Sequence, residues 1–290
     1  MNRITKFIYN QLQTIYPPEE IRSFIRILLT SVCGWSSNQQ ILCKDKQIPE
    51  NEEKQIYAIV DRLKKMEPLQ YILNETEFYS IPLKVNPSVL IPRPETEELV
   101  DMIIQSSFVK LCAQQSSVRI LDVGSGSGCI AIALSKHIPD ATVTAIDISE
   151  AAIQTAKDNA QRNKTAVQFK KANILNTEDT VSLFPEKFDL IVSNPPYIKE
   201  DERNSLSANV LEYEPEVALF VPDGANPIIF YEAIADFALQ KLKTDGIMFF
   251  EINPLCSASI IEMLHKKGYP QTEIIRDLSG KERFIIATSF

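Results

Sequence analysis

Apolar positions recur at helical spacing through the first seventy or so residues. Ile4, Phe7, Ile8, Leu12 and Ile15 form one stripe. Pro17 and Pro18, followed by Glu19 and Glu20, open a second helix that stops at Gly34. Pro49 and a cluster of acids open another, which carries Ile56, Ile59, Val60 and Leu63 ahead of Pro68. Residues 1–73 therefore read as a small all-helical domain with no chemical motif of its own. The stretch EFYSIPLKVNPSVLIPRPE then turns β-prone and is broken by Pro82, Pro87, Pro92 and Pro94. It predicts an irregular β-hairpin that links two domains across residues 74–93.

From residue 94 to 290 the period alternates. VRILDVG, ATVTAIDIS, AVQFKKA, FDLIVSN and GIMFFEI are short apolar runs of strand character, and CIAIALSKH and EAAIQTAKDNAQRN lie between them as helices. Strand and helix at this pace predict an α/β domain with a mostly parallel sheet covered on both faces. The end breaks the rhythm. QTEIIRDLSGKERFIIATSF is two β-prone runs joined by Ser279-Gly280-Lys281, which predicts a closing antiparallel hairpin.

Charge and cysteine usage narrow the function classes. The net charge of −8 disfavours tight non-specific binding to nucleic acid. Five cysteines, at 33, 43, 112, 129 and 256, are scattered with no CxxC pair, which argues for a reducing cytoplasm and against disulfides or a zinc site. The two histidines, His137 and His265, are far apart in Lys-flanked helical contexts and read as ordinary surface residues, not a triad or metal site. The first residues interleave charges with apolar groups and lack a small-residue cleavage site, so no signal peptide is expected. No uninterrupted apolar stretch reaches membrane-spanning length.

Two motifs carry chemistry. In LDVGSGSG, Gly124, Gly126 and Gly128 follow a strand and open a helix, and their missing Cβ atoms allow a tight turn close to a ligand. The spacing is GxGxG, and Asp122 precedes it. An acid there would repel a pyrophosphate but suits a ligand carrying an ammonium and a sulfonium. Asp147 ends the next strand, where an acid typically holds ribose hydroxyls. Together these features favour S-adenosylmethionine over a nicotinamide dinucleotide.

The second motif is Asn194-Pro195-Pro196-Tyr197, at the carboxyl end of an apolar strand and so in the crevice where α/β sheets bind ligands. Asn194 precedes a proline and is pushed to extended backbone. The two prolines fix φ and leave carbonyls without amide donors beside them. Asn194 adds a side-chain carbonyl, and Tyr197 a flat ring. Two acceptors and a ring fit an NH₂ group on a planar π-system, either a carboxamide or a nucleobase. Such a nitrogen is a poor nucleophile, so catalysis would rest on orienting its lone pair towards the methyl donor.

NPPY together with LDVGSGSG resembles the amino-methyltransferases, which act on DNA adenine, RNA bases or protein glutamine. Residues 68–100, from PLQYILNETEFYS through LIPRPETEELV, with LEYEPEVAL (211–219) and RDLSGKERFIIA near the end, closely resemble the peptide chain release factor N5-glutamine methyltransferases, the PrmC/HemK family, over essentially the whole chain. The resemblance implies a class I S-adenosylmethionine-dependent domain with a seven-stranded, mostly parallel sheet ending in an antiparallel hairpin, behind a helical domain that recognises the substrate. It implies methylation of the glutamine in the GGQ tripeptide of class 1 release factors, with S-adenosylhomocysteine as product. Asp122, the segment Gly124-Ser125-Gly126-Ser127-Gly128, Asp147, Asn173, Ile174 and Asn194 would hold the cofactor. Asn194, Pro195, Pro196 and Tyr197 would clamp the glutamine amide, with Arg93 and Glu95 at the border of the site. Arg93-Pro94-Glu95 is equally a plain helix start with acids in its first turn. Glu251, ending GIMFFEI, also falls near the crevice.

Two positions depart from the family pattern. Asn173 stands where an aspartate is common, which keeps an acceptor but loses its charge. Asn74 stands where glycine is common, and asparagine tolerates left-handed backbone. A nucleic-acid amino-methyltransferase acting on a flipped adenine or guanine remains the alternative, and a non-catalytic cofactor-binding protein a further one. No metal, no membrane and no direct nucleic-acid partner is expected, and a cytoplasmic monomer is.

Overall fold

The computed structural model describes residues 3–42, 47–115 and 117–288; Cys43 lies outside them. The chain forms two compact units. One comprises residues 1–74 with 207–213, the other 75–206 with 214–290.

In the helical unit the stripe of the first helix, Arg3–Leu12, buries Ile4, Ile8 and Leu12. Ile15 does not extend it: the helix ends at Leu12, and Ile15 sits in the following turn, 37% exposed. Helices Pro18–Ser31 and Glu50–Leu63 begin behind prolines and carry acids in their first turns, as the charge pattern predicts. Their apolar faces meet in one core with Tyr16, Phe24, Trp35 and Leu69. The helix Leu69–Leu73 ends on Asn74 at φ +55°, so asparagine fills the left-handed cap in place of glycine. The segment 207–213 joins this unit, and Tyr213 donates its hydroxyl to the Lys65 carbonyl at 2.9 Å.

The second unit opens with a hairpin of β1 (Glu75–Phe78) and β2 (Ile81–Lys84). Its two-residue turn, Tyr79-Ser80, takes positive φ at both positions, the mirror-image turn that fits strand twist. Neither residue is a usual choice there. Glu97 compensates by accepting from the Tyr79 amide at 2.8 Å, and Asp101 accepts from the Tyr79 hydroxyl. Phe78, Ile81 and Leu83 are buried in the core of this unit, so the segment read as a link is built into the second unit.

The main sheet has seven strands: β3 (Arg119–Val123), β4 (Thr142–Asp147), β5 (Gln168–Lys171), β6 (Phe188–Ser193), β7 (Leu242–Glu251), β8 (Gln271–Arg276) and β9 (Glu282–Thr288). Their order is β5-β4-β3-β6-β7-β9-β8, and only β9 runs against the rest. Alternate side chains feed two cores. Leu121, Val123, Ile191, Met248 and Phe250 pack on one face with the helix Ile229–Lys241; Ile120, Leu190, Val192, Ile247 and Phe249 pack on the other with the helix Cys129–His137. Burial on both faces is why β6 is apolar at nearly every position. No helix of the described residues is long and apolar enough to cross a membrane.

Candidate active site

Strand register assembles the site. Val123 pairs with Ile146 and Ser193, and Ser193 pairs with Phe250. One residue further on, Asp147, Gly124, Asn194 and Glu251 therefore stand side by side at the carboxyl ends of β4, β3, β6 and β7. The chain order reverses between β3 and β6, the switch point where such sheets open a crevice. Ser193 secures the two strand ends by donating to the Val123 carbonyl at 2.7 Å.

A cavity of about 740 Å³ occupies this crevice. Gly124, Gly126, Asp147, Asn173, Ile174, Asn194, Pro195 and Pro196 line it, so the glycine turn and the clamp share one space. Val89, Phe230 and Ile234 add apolar wall that sequence reading did not single out. Arg203 lies over the Phe220 ring, 4.3 Å from its centre, and pairs with Glu216 at 3.0 Å, all three on the same cavity.

The glycine turn is shaped for a ligand. Gly126 has φ +52° and open space where a Cβ would project; Gly128 has φ +80° and a Cβ there would come within 3.0 Å of the Ala156 Cβ. The first glycine keeps the cavity open, and the second lets two helices approach. Asp147 braces the turn, accepting from the Gly126 amide through Oδ2 and from the Ser149 amide through Oδ1, both at 2.8 Å. Burial raises its pKa, and those backbone donors partly offset the rise.

Asp122 lies behind this turn, fully buried and off the cavity wall. Its Oδ2 accepts from the Ala131 amide at 3.2 Å, while Oδ1 and the hydroxyls of Ser125 and Ser127 have no partner. Burial pushes the Asp122 carboxyl up to about 7, with the Ala131 amide working the other way and Asp147 adding to the rise. Three orphaned buried polar atoms around an open glycine turn match a ligand rich in donors and positive charge, and the cavity has room for an adenosyl group. The residues present fit S-adenosylmethionine. Asn173 is exposed and spends its side-chain oxygen on the Leu175 amide at 3.1 Å, leaving one lone pair for an adenine amino group.

At the clamp, Asn194 is half-buried, and its side-chain nitrogen donates to Thr96 Oγ1 at 3.1 Å. Thr96 in turn donates to Glu251 Oε2 at 2.7 Å. Tyr197 is half-buried beside Glu251, Arg283, Arg93 and Glu95, off the cavity wall; burial, then Glu251, pushes its hydroxyl up to about 12, so it stays protonated. Arg93 pairs with buried Glu214 at 2.6 Å, and Glu214 also accepts from the Ile91 amide at 3.1 Å. The stretches LIPRPETE and LEYEPEVAL are thereby locked together, which no local pattern announces. Glu95 lies among the charges around Tyr197 and Glu251. His137 and His265 are exposed and remote from the site's residues, bonded to the Ala133 carbonyl and to Thr272. Cys33, Cys112, Cys129 and Cys256 are free, and no group of acids, cysteines or histidines suits a metal among the described residues.

A mostly parallel sheet closed by an antiparallel hairpin, with a glycine turn after its first strand and an NPPY clamp beside it, defines a class I methyltransferase. Residues 104–219 match the Methyltransferase small domain, and residues 5–73 match the PrmC N-terminal domain. The fold recurs in a solved methyltransferase from Pyrococcus furiosus, 18% identical with a TM-score of 0.52, over 83% of this chain and 99% of that one. The chain belongs to the release factor glutamine methyltransferase family. It is 39% identical over 287 residues to the family member from Bacteroides thetaiotaomicron, covering 99% of both chains. It is 40% identical over 284 residues to that of Flavobacterium psychrophilum, covering 98% and 97%.

Proposed function

We propose that this protein transfers the methyl group of S-adenosylmethionine to the side-chain amide nitrogen of the glutamine in the GGQ motif of class 1 release factors. The observation that carries this reading is the shared cavity of the glycine turn and the NPPY clamp, in a chain that matches release factor glutamine methyltransferases from end to end.

When bound, S-adenosylmethionine supplies an electrophilic methyl on a sulfonium. Gly124 to Gly128 would hold its methionine part with Asp122 close behind, Asp147 its ribose, and Asn173 and Ile174 its adenine. Asn194, through its side-chain carbonyl, and Pro195, through its backbone carbonyl, would accept the two hydrogens of the glutamine amide and turn its lone pair towards the donor. Two fixed acceptors favour pyramidal nitrogen as positive charge develops there, which is catalysis by placed dipoles. No strong base is needed, because the nitrogen becomes acidic as it is alkylated; the proton leaves to water. Pro196 stiffens the loop, Tyr197 bounds the clamp, and Arg93 and Glu95 border the glutamine's approach.

Residues 1–73 serve as the release-factor recognition domain, 74–93 as the hairpin linking it to the catalytic domain, and 94–290 as the catalytic domain. Acidic charge, free thiols and the absence of a spanning helix among the described residues support a cytoplasmic monomer that does not bind nucleic acid directly. Incubation with S-adenosylmethionine and an unmethylated release factor, followed by digestion and mass spectrometry, should find one added methyl on the GGQ peptide. An unmodified peptide alongside methylated RNA or DNA would reverse the assignment.

A further inference from the structure

We infer that Thr96 and Glu251 are positioning residues that set which way the Asn194 amide faces, and so whether the clamp presents an acceptor or a donor to the substrate nitrogen. The inference rests on the function proposed above. Thr96, 98 residues before Asn194 in the chain, is 3% exposed, and Glu251 is 2% exposed. A hydroxyl has one proton. Thr96 gives it to the Glu251 carboxylate at 2.7 Å, so only its lone pair faces Asn194. The side of Asn194 that meets Thr96 must then be its NH₂, found at 3.1 Å. Its carbonyl oxygen is left to face the other way, as an acceptor.

Without this chain the amide has little to hold it, since the last torsion of asparagine is broad and nearly two-fold. A turned amide would put its own NH₂ against the substrate's NH₂. Direction in the chain comes from the charge at Glu251. A protonated carboxyl can donate to Thr96, which frees the Thr96 hydroxyl to donate to the Asn194 oxygen and reverses the whole chain. Burial pushes the Glu251 carboxyl up to about 7, against the Thr96 hydroxyl and the Arg283 charge, with Glu95 adding to the rise and the Asn194 amide opposing it. The other ionisable neighbours are Tyr197, Tyr231, whose hydroxyl donates to the Glu251 backbone carbonyl at 3.0 Å, and Cys129. The tyrosines and Cys129 all have raised pKa values and stay neutral through this range, so a proton gained near pH 7 here is gained by Glu251.

The test is the pH profile of kcat for the full chain with S-adenosylmethionine and a release factor, in the parent, Thr96→Val, Thr96→Ser and Glu251→Gln. The parent should lose kcat with a one-proton limb below about pH 7. Thr96→Val, close in shape but without the hydroxyl, should lose about 10- to 100-fold in kcat, the scale of one misdirected hydrogen bond. Its affinity for S-adenosylmethionine, read by calorimetry, should change less than about threefold, as the uniform part of binding is untouched. Thr96→Ser should recover most of the activity and the acid limb, and Glu251→Gln should lack that limb. Near-parental kcat in Thr96→Val, a parental acid limb in Thr96→Val or Glu251→Gln, or a Thr96→Ser as poor as Thr96→Val would overturn the relay. Should Thr96→Val fail to fold, the limbs of Thr96→Ser and Glu251→Gln decide the matter. A parent that leaves the release factor unmethylated overturns the proposed function itself, whereas an active parent with an active Thr96→Val overturns the relay alone.

Discussion

At the scale of single residues, Asn194 carries most of the proposed chemistry. Its backbone is set by the following proline and its side-chain nitrogen by Thr96, so its oxygen is oriented before any substrate arrives. Removing such an acceptor should raise the barrier to transfer more than it weakens binding. Asn194→Ala should lower kcat by about 10²- to 10³-fold, measured with saturating release factor, and near-normal turnover would discard the clamp. The clamp and the glycine turn are legible in the sequence because each is a short run whose backbone restrictions are written into its own residues. Thr96 and Glu214 are not, because each acts through partners more than ninety residues away: Asn194 and Glu251 for Thr96, Arg93 for Glu214. Asp122 is an intermediate case. Its identity suggests a place facing the ligand, but strand alternation puts it on the same face as Ile120, towards the Ala131 amide.

At the scale of elements, the glycine turn is one loop with two jobs, and substitution should separate them. On Gly128 an alanine would meet both left-handed strain and the Ala156 methyl, pressing apart the helices Cys129–His137 and Glu150–Arg162. Strain of about 1–2 kcal/mol and overpacking of about 1–3 kcal/mol together predict a loss of about 2–4 kcal/mol in urea unfolding. On Gly126 an alanine meets nothing, so stability should fall by only about 1–2 kcal/mol, while the methyl enters the cavity and should weaken S-adenosylmethionine by more than about tenfold in calorimetry. Equal stability losses for the two variants would contradict this division. The period of the apolar pattern predicts the sheet's parallel strands and its closing hairpin, since each is buried on its own repeat. The Tyr79-Ser80 turn escapes the same reading. Its positive φ values are imposed by Glu97 and Asp101 from a neighbouring helix, not favoured by the turn residues themselves. Ile15 misleads for the opposite reason: the apolar spacing continues after the helix has stopped.

At the scale of the whole molecule, the distribution of buried charge sets how stability answers to pH. Asp122 and Glu251 both have folded pKa values near 7, raised chiefly by burial, against ordinary carboxylate values once unfolded. Between about pH 4.5 and 7 the folded chain therefore holds more protons than the unfolded one, and stability must fall as pH rises through that window. The direction is opposite to that of a salt-bridged carboxylate, whose depressed folded pKa makes stability grow with pH. An active site that keeps two carboxylates dry thus costs stability at neutral pH, in exchange for a preformed negative field behind the glycine turn and a directed hydrogen-bond chain behind the clamp. Asp122→Asn isolates one of the two contributions. Its stability relative to the parent should improve as pH rises from 5 to 8, by up to about 4 kcal/mol for a shift of roughly three pKa units. Urea unfolding followed by circular dichroism can read the change, whereas tryptophan fluorescence cannot, because the one tryptophan, Trp35, belongs to the core of the helical unit. A difference between variant and parent that stays constant from pH 5 to 8 would mean that Asp122 is ionised throughout, and that the orphaned oxygen behind the glycine turn already carries its charge before any cationic ligand arrives.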